Sequence, residues 1–223
     1  MRDAVLGMND GLVEILSVTA GLAGAYGSTF YVALSGLVVA IAGALSMGIG
    51  AFVAARAQRQ VHEGILGRIM LAARYAAHVF KERIRGFMES KGYSGETSAR
   101  VADESMKNPG LMARIIAEEE YWLREEKLEN PAATGFYTGL AYLLSSFLPI
   151  LPYFMNLPVI PALLLSLFLA GLALSFTGLL IAIFADLPVK RKISEMVLAG
   201  FGSAATTFVI GKIFSVIFGV TAA

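Results

Sequence analysis

The chain has 223 residues, of which 57% are hydrophobic and only 16% are charged. Soluble domains carry roughly a quarter of their residues as charged side chains, so this composition excludes an ordinary soluble protein. The formal net charge of +1 offers no broad positive field for nucleic acid. The absence of cysteine excludes disulfides, thiolate metal ligands and cysteine nucleophiles.

The charges are concentrated in one part of the chain. Thirteen of the 18 Lys and Arg residues fall between Arg56 and Lys127, and three more are the run 190–192. No charged residue occurs from Gly27 to Ala55 or from Pro131 to Ala185. A stretch of 55 successive uncharged residues argues against a soluble helical protein and is long enough for two membrane spans of about 20 residues each.

The sequence therefore predicts an all-α polytopic membrane protein with about five transmembrane helices. The predicted spans are Ala4–Tyr26, Phe30–Ala55, Ala132–Phe154, Ile160–Ala185 and Val197–Thr221. Pro149 and Pro152 predict a break near the end of the third span, because proline removes a helix hydrogen bond.

The predicted topology follows from the position of the basic residues. Neither the turn at 27–29 nor the turn at 155–158 contains a base, whereas the segments after spans two and four hold sixteen. The positive-inside rule therefore places the insert, the loop containing residues 190–192 and the N-terminus in the cytoplasm, and the C-terminus outside. This divides the chain into residues 1–56 with two spans, 57–130 as an insert, and 131–223 with three spans.

The insert between spans two and three is predicted to be a three-helix unit. Its first helix continues from span two with apolar residues at helical spacing, and Lys91 with Gly92 marks its end. The second helix starts near Ser94 and ends by Asn108 and Pro109. The third runs over about Leu111–Leu128.

Two acids lie within the first predicted span. Asp10 and Glu14 are four residues apart, so both carboxylates lie on one helix face. Ionised carboxylates in hydrocarbon cost several kcal/mol each and need a cavity, a partner or a bound cation. The pair indicates a cation or proton site, to which Asn9 adds a carbonyl oxygen. The alternative is that the acids lie near the cytoplasmic end and face headgroup water.

Two further side chains in the spans are candidates for function. Met47 in span two offers a thioether, a soft ligand for transition metals, although most methionines in membrane helices serve packing. Lys212 in span five either pairs with a carboxylate or extends toward the membrane surface. Small residues at three- and four-residue spacing predict close helix packing or dimerisation; they are Gly21, Gly24, Gly36, Ala40, Gly43 and Ala44.

The insert also contains metal-ligating residue types. His78 and Glu82 form an i,i+4 pair with usable ligand spacing, and residues 118–120 are three successive glutamates. Oxygen-rich clusters with a histidine suit Fe²⁺ or Mn²⁺. On the residues alone, the favoured interpretation is a solvated acidic face of a charged helical domain.

Three runs of the sequence resemble the vacuolar iron transporter family. They are RDAVLGMNDGLVEILSVTAGLAGA, AIAGALSMGIGAFVAARAQRQ and NPAATGFYTGLAYLLSSFLPILPYF, with the N-D-G of span one and the L-S-M-G of span two as the most specific pieces. The resemblance covers nearly the whole chain. It implies transport of Fe²⁺, and in some members Mn²⁺, out of the cytoplasm in exchange for protons, by a dimer with its pathway between the subunits.

The resemblance also implies site residues. Asp10 matches the span-one aspartate of the family and Met47 its span-two methionine, so both would line the ion path. The family's glutamate after that methionine is missing, since Ala51 stands at its place. From its spacing to Asp10, Glu14 is a candidate replacement.

The insert departs further from the family pattern. Where the family has paired glutamates on the first insert helix, this chain offers Glu82 and Glu89. Where the family has two methionines followed by a glutamate, it has Ile115 and Ile116 followed by Glu119, with Glu120 next. The implied cytoplasmic metal cluster therefore has a thinner ligand set and lacks sulfur.

The first functional hypothesis is a secondary-active exporter that exchanges Fe²⁺, or both Fe²⁺ and Mn²⁺, for protons. Competition between metal and protons for Asp10 and Glu14 is the simplest coupling. Its partners would be the lipid bilayer, divalent metal, protons and a second copy of the chain, with no resident cofactor and no nucleic acid. The alternative is a membrane-anchored metal sensor or scaffold whose insert binds a partner. An enzyme is disfavoured, since no nucleophile–base constellation or phosphate loop is present.

Overall fold

The computed structural model describes residues 2–123 and 130–219, except for the side chains of residues 2 and 3. Within these ranges the chain is helical and contains no strand. The helices are α1 (Arg2–Ala25), α2 (Thr29–Tyr75), α3 (Ala77–Ser90), α4 (Gly95–Met106), α5 (Pro109–Tyr121), α6 (Pro131–Ile150), a 3-10 helix (Leu151–Phe154), α7 (Val159–Phe184) and α8 (Val189–Phe218).

Five helical stretches of the described residues are long and apolar enough to cross a membrane. They are Ala4–Ala25, Thr29–Tyr75, Pro131–Phe154, Val159–Phe184 and Val189–Phe218. The prediction of an all-α protein with five spans is confirmed. The end of the predicted fifth span, residues 220 and 221, lies outside the described residues.

The chain divides into two compact units. The span unit consists of Met1–Val53 and Pro131–Ala223, and the insert unit of Ala54–Asn130. The first boundary lies three residues before the predicted one at residue 56.

In the span unit, glycines allow α1 to lie directly against two other helices. A Cβ on Gly11 would lie 2.5 Å from the Tyr142 carbonyl oxygen of α6, and one on Gly21 would lie 3.2 Å from the Thr207 carbonyl oxygen of α8. The approach at Gly11 leaves no room for a side chain, and such close backbone packing contributes to helix association in lipid.

The second helix approaches α6 in the same way. A Cβ on Gly139 would lie 2.8 Å from the Ala44 carbonyl oxygen, and one on Gly48 3.0 Å from the Gly135 carbonyl oxygen. The packing predicted from small residues is therefore realised within one chain, with α6 in close contact with both α1 and α2.

Hydroxyl groups satisfy polar atoms between the packed spans. The Ser17 hydroxyl donates to the Ser203 hydroxyl at 2.7 Å, and the Thr207 hydroxyl donates to the Ser17 carbonyl at 2.6 Å. The Ser166 hydroxyl of α7 donates to the Pro149 carbonyl at 2.7 Å, where α6 gives way to the 3-10 helix. These bonds are needed because hydrocarbon offers no water to unpaired polar groups. The predicted break at the prolines is confirmed.

The basic run 190–192 was expected in a loop, and this was wrong. Helix α8 begins at Val189, directly after Pro188, and the Lys192 amide donates to the Pro188 carbonyl at 3.0 Å. Proline is well suited to a helix start because its fixed φ is helical and its missing N–H is not needed there. The three bases therefore lie in the first turn of α8.

The insert unit contains the end of α2 together with α3, α4 and α5. Its core is formed by buried apolar side chains: Ile69, Phe80, Ile84, Ala102, Met112, Ala113, Ile116 and Ala117. The predicted first helix is divided at Ala76, whose φ of −134° and ψ of 41° are not helical. No proline or glycine signals this break, so the hydrophobic spacing alone could not reveal it.

The other helix ends of the insert follow local sequence rules. The Ser94 hydroxyl accepts a hydrogen bond from the Thr97 amide and caps α4, and the Asn108 side chain caps α5 ahead of Pro109. Gly92, with φ of 92°, follows the end of α3. The third helix ends at Tyr121, and the predicted extension over residues 124–128 lies outside the described residues.

The contact at Gly11 predicts a stability difference between two glycine substitutions. Gly11→Ala should lower stability by about 1–3 kcal/mol, because the added methyl group pushes α1 away from α6. Gly50→Ala is the matched control, since a Cβ there meets nothing within 4 Å. Thermal unfolding of the purified protein in detergent tests this, and equal midpoints for the two variants would contradict it.

Candidate metal centre

The two acids of α1 differ in their surroundings. Asp10 is half-buried, whereas Glu14 lies on the exposed surface of the span unit. Four residues of helix separate them by about 6 Å along the axis. Both carboxylates therefore lie along one side of α1 and can act on one ion or one proton path.

A buried tyrosine of α6 lies beside these acids. The Tyr142 side chain is 0% exposed, and Glu14 and Asp10 are the charged groups that act on it, Glu14 more strongly. Its hydroxyl makes no hydrogen bond of normal geometry within the described structure. A buried hydroxyl without a partner is costly, so this group is available to donate to a carboxylate or to an ion's ligand shell.

The same tyrosine reaches α2. A Cβ on Gly43 would overlap the Tyr142 hydroxyl and ring, so the ring lies directly on the Gly43 backbone. Met47 is one helical turn further along the same face of α2 and is half-buried. Tyr142 thus lies between the helix that carries the two acids and the helix that carries Met47.

Asn9 has a different environment. Its Nδ2 donates to Asp10 Oδ1 at 3.4 Å, a long hydrogen bond. Its buried Oδ1 has no partner in the described structure, and the residue lines a cavity with residues of α7 and α8. Asn9 thus contacts Asp10 through its amide nitrogen, and its role as an oxygen ligand stays a prediction.

The residues near Tyr142 on α1 and α2 include several metal-binding types. Two carboxylates, a phenol and a thioether are compatible with Fe²⁺ or Mn²⁺, with sulfur favouring the softer ion. Among the described residues, no group of three His, Asp or Glu side chains could hold a metal ion. Because Glu14 is exposed, this side of α1 is open to further ligands from outside the chain.

In the insert, the predicted carboxylates face basic side chains. Glu120 pairs with Arg83 at 2.7 Å, Glu119 pairs with Lys91, and Glu89 pairs with Arg85 at 3.0 Å. The hydrogen bond to Glu89 raises the pKa of the Arg85 guanidinium above its ordinary value. Glu119 and Glu120 of α5 therefore link this helix to α3 and to the residue that follows it, whereas Glu89 pairs within α3.

His78 and Glu82 lie on the exposed face of α3 and are not gathered with the other acids. The insert's other histidine, His62, is instead 4% exposed, with its Nδ1 unpartnered in the described structure. The structure therefore does not gather the predicted insert ligands at one point.

Sequence reasoning missed Tyr142 and the hydroxyl network of Ser17, Ser203 and Thr207. A tyrosine in the middle of the apolar run 131–154 was an available signal, because a phenol in hydrocarbon needs a partner. The hydroxyl network had no signal of its own, since serine and threonine are common in membrane helices.

The absence of native cysteine allows a direct test of whether the acids face water. Glu14→Cys and Asp10→Cys should react with a water-soluble thiol reagent in proteoliposomes, because the reagent requires a hydrated thiolate. Phe168→Cys, on a 60% exposed position of α7, is the control that should face lipid and react about tenfold more slowly. Equal, slow labelling at all three positions would contradict a water-accessible site.

The sequence is similar to that of several known proteins. Over 213 residues the chain is 24% identical to vacuolar iron transporter 1 of Arabidopsis thaliana, covering 96% of this chain and 85% of that protein. It is 28% identical over 212 residues to vacuolar iron transporter 1 of Eucalyptus grandis, covering 92% and 83%. A rice protein of the same name is 25% identical over 206 residues, covering 92% and 82%. The sequence profile of the VIT family matches residues 1–212, and the chain belongs to this family.

Proposed function

We propose that this protein transports divalent iron out of the cytoplasm across a membrane, in exchange for protons. The observation that carries the proposal is the Asp10–Glu14 pair beside the buried Tyr142 hydroxyl, in a chain whose relatives are named iron transporters. Mn²⁺ is a second substrate that the same oxygen-rich site would accept.

The site suggests a mechanism of coupling. The two carboxylates supply hard oxygen ligands for a divalent cation, and Met47 biases the site toward a transition metal over Ca²⁺ or Mg²⁺. On an acidic side, protons compete for the same oxygens and release the metal. The protonated acids carry less charge through the apolar span, so the return step is easier than for the empty ionised site.

The open side of α1 supports a homodimer as the working unit. Glu14 and the apolar face of α2 containing Leu45 and Ile49 are exposed in the single chain. An exposed carboxylate among lipid-facing side chains is unfavourable. A second copy placed against this face would cover Glu14 and add its own acids to the coordination shell.

The basic residues support an orientation with the insert and N-terminus in the cytoplasm. In that orientation the insert meets metal first, and its acidic residues Glu82, Glu89, Glu119 and Glu120, with His78, are its candidate ligands. Metal binding at Glu119 or Glu120 would have to displace Lys91 or Arg83. We therefore expect insert binding to be weak and the site on α1 to determine transport.

Metal flux into proteoliposomes tests the proposal. With Fe²⁺ outside and reducing conditions, Asp10→Asn and Glu14→Gln should each lower the uptake rate by about tenfold or more, the change that corresponds to roughly 1.4 kcal/mol of lost binding. Glu96→Gln, whose side chain is 78% exposed in the insert, is the control and should transport normally. If neither the wild type nor the variants take up Fe²⁺, the sensor or scaffold alternative is favoured. If both site variants take up Fe²⁺ normally, Asp10 and Glu14 do not form the transport site.

Proton coupling requires a separate experiment. An acidic lumen should accelerate Fe²⁺ uptake by the wild-type protein, because protons on that side displace the metal from Asp10 and Glu14. A protonophore that collapses the gradient should remove the acceleration. Uptake that is independent of the gradient would contradict exchange while leaving metal transport standing.

A further inference from the structure

A cavity of about 570 Å³ lies at the end of the span unit where α1 begins, α7 ends and α8 begins. Its walls are apolar, with Leu6, Ile181, Phe184 and Met196 among the lining side chains. Two polar residues, Asn9 and Lys192, also line the cavity.

The two polar side chains of the cavity come from different helices. Lys192 comes from the first turn of α8 and is only 21% exposed, although a lysine at a helix start normally extends into water. Asn9 comes from α1 and presents a buried carbonyl oxygen without a hydrogen-bond partner in the described structure. One site for an anion and one acceptor for a donor group therefore line the same apolar cavity.

Among the described residues, Lys192 forms an ion pair with one carboxylate. Its Nζ donates to Glu195 at 2.9 Å, and the Glu195 side chain is 61% exposed. An ion pair this exposed contributes little, and the ammonium group retains two further donors. Lys190 and Arg191 lie in the same turn and are exposed, and Asp186 lies shortly before it.

We propose that this cavity binds an anionic glycerophospholipid. The phosphate group would bind Lys192, a headgroup hydroxyl would donate to Asn9 Oδ1, and an acyl chain would lie along the apolar wall. The occupant is argued from the combination of a cation, an acceptor and a hydrocarbon wall at one end of a five-span bundle, since bases between spans are a known means of binding anionic headgroups. The inference does not depend on the protein transporting metal.

The ligand would have a structural consequence for the first span. Asn9 Nδ2 contacts Asp10 Oδ1, so a donor that fixes the Asn9 carbonyl also fixes the orientation of its amide group. A lipid in this cavity would thus hold the start of α1 against α7 and α8, next to the first of the two acids.

Lipid titration of the full-length, delipidated protein in detergent, read by native mass spectrometry, tests the proposal. Phosphatidylglycerol should bind, and phosphatidylcholine with the same acyl chains should bind clearly more weakly. Lys192→Gln should raise the dissociation constant for phosphatidylglycerol about fivefold, as expected for one lysine near a lipid phosphate. Lys192→Arg should stay within about twofold of wild type, because it keeps the charge.

Lys190→Gln is the matched control, since it removes the same charge from the same turn but from outside the cavity. Ala185→Phe should abolish lipid binding, because the larger side chain fills the cavity while every charge stays in place. This variant provides the test if Lys192→Gln fails to fold. Equal weakening by Lys190→Gln and Lys192→Gln would overturn the proposal in favour of general surface attraction. Equal binding of the two lipids, or displacement of phosphatidylglycerol by glycerol phosphate alone, would also overturn it.

Discussion

The close approach of α6 to α1 and α2 is the constraint on which the rest of the span unit depends. In hydrocarbon, helices gain nothing from hiding apolar surface, so they associate through backbone contact and interhelical hydrogen bonds. Gly11, Gly43, Gly48 and Gly139 provide these approaches. A methyl group at Gly43 would overlap the Tyr142 hydroxyl, so the packing of α2 against α6 also fixes the position of this side chain.

The same contact explains why the acids of α1 are tolerated in a membrane span. Asp10 and Glu14 lie beside a buried phenol that lacks any other partner in the described structure. A neutral donor next to two carboxylates lowers the cost of their charge without removing it.

The insert unit is stabilised in a different way. It has a small apolar core around Ile84 and Ile116, and ion pairs join α3 to α4 and α5. In water such pairs exchange readily with solvent and with other ions, because each is at least partly exposed. Isoleucines at 115 and 116 complete the core where the family resemblance leads one to expect methionines. The insert of this chain therefore folds as a compact helical unit without needing metal ligands at its centre.

The sequence alone determined the five spans, the insert between the second and third, and the helix ends at Gly92, Ser94 and Asn108. These features follow from rules that act over a few residues: the cost of charge in hydrocarbon, the freedom of glycine and the capping of free amides. It also identified Asp10, Glu14 and Met47 as unusual residue types at membrane depth.

Only the tertiary structure decided that Tyr142 joins the acids to α2, that Asn9 lies toward α7 and α8, and that the insert glutamates pair with Arg83, Arg85 and Lys91. These contacts depend on which helix faces are packed against each other. Because small residues occur on nearly every span, the sequence does not show which faces those are.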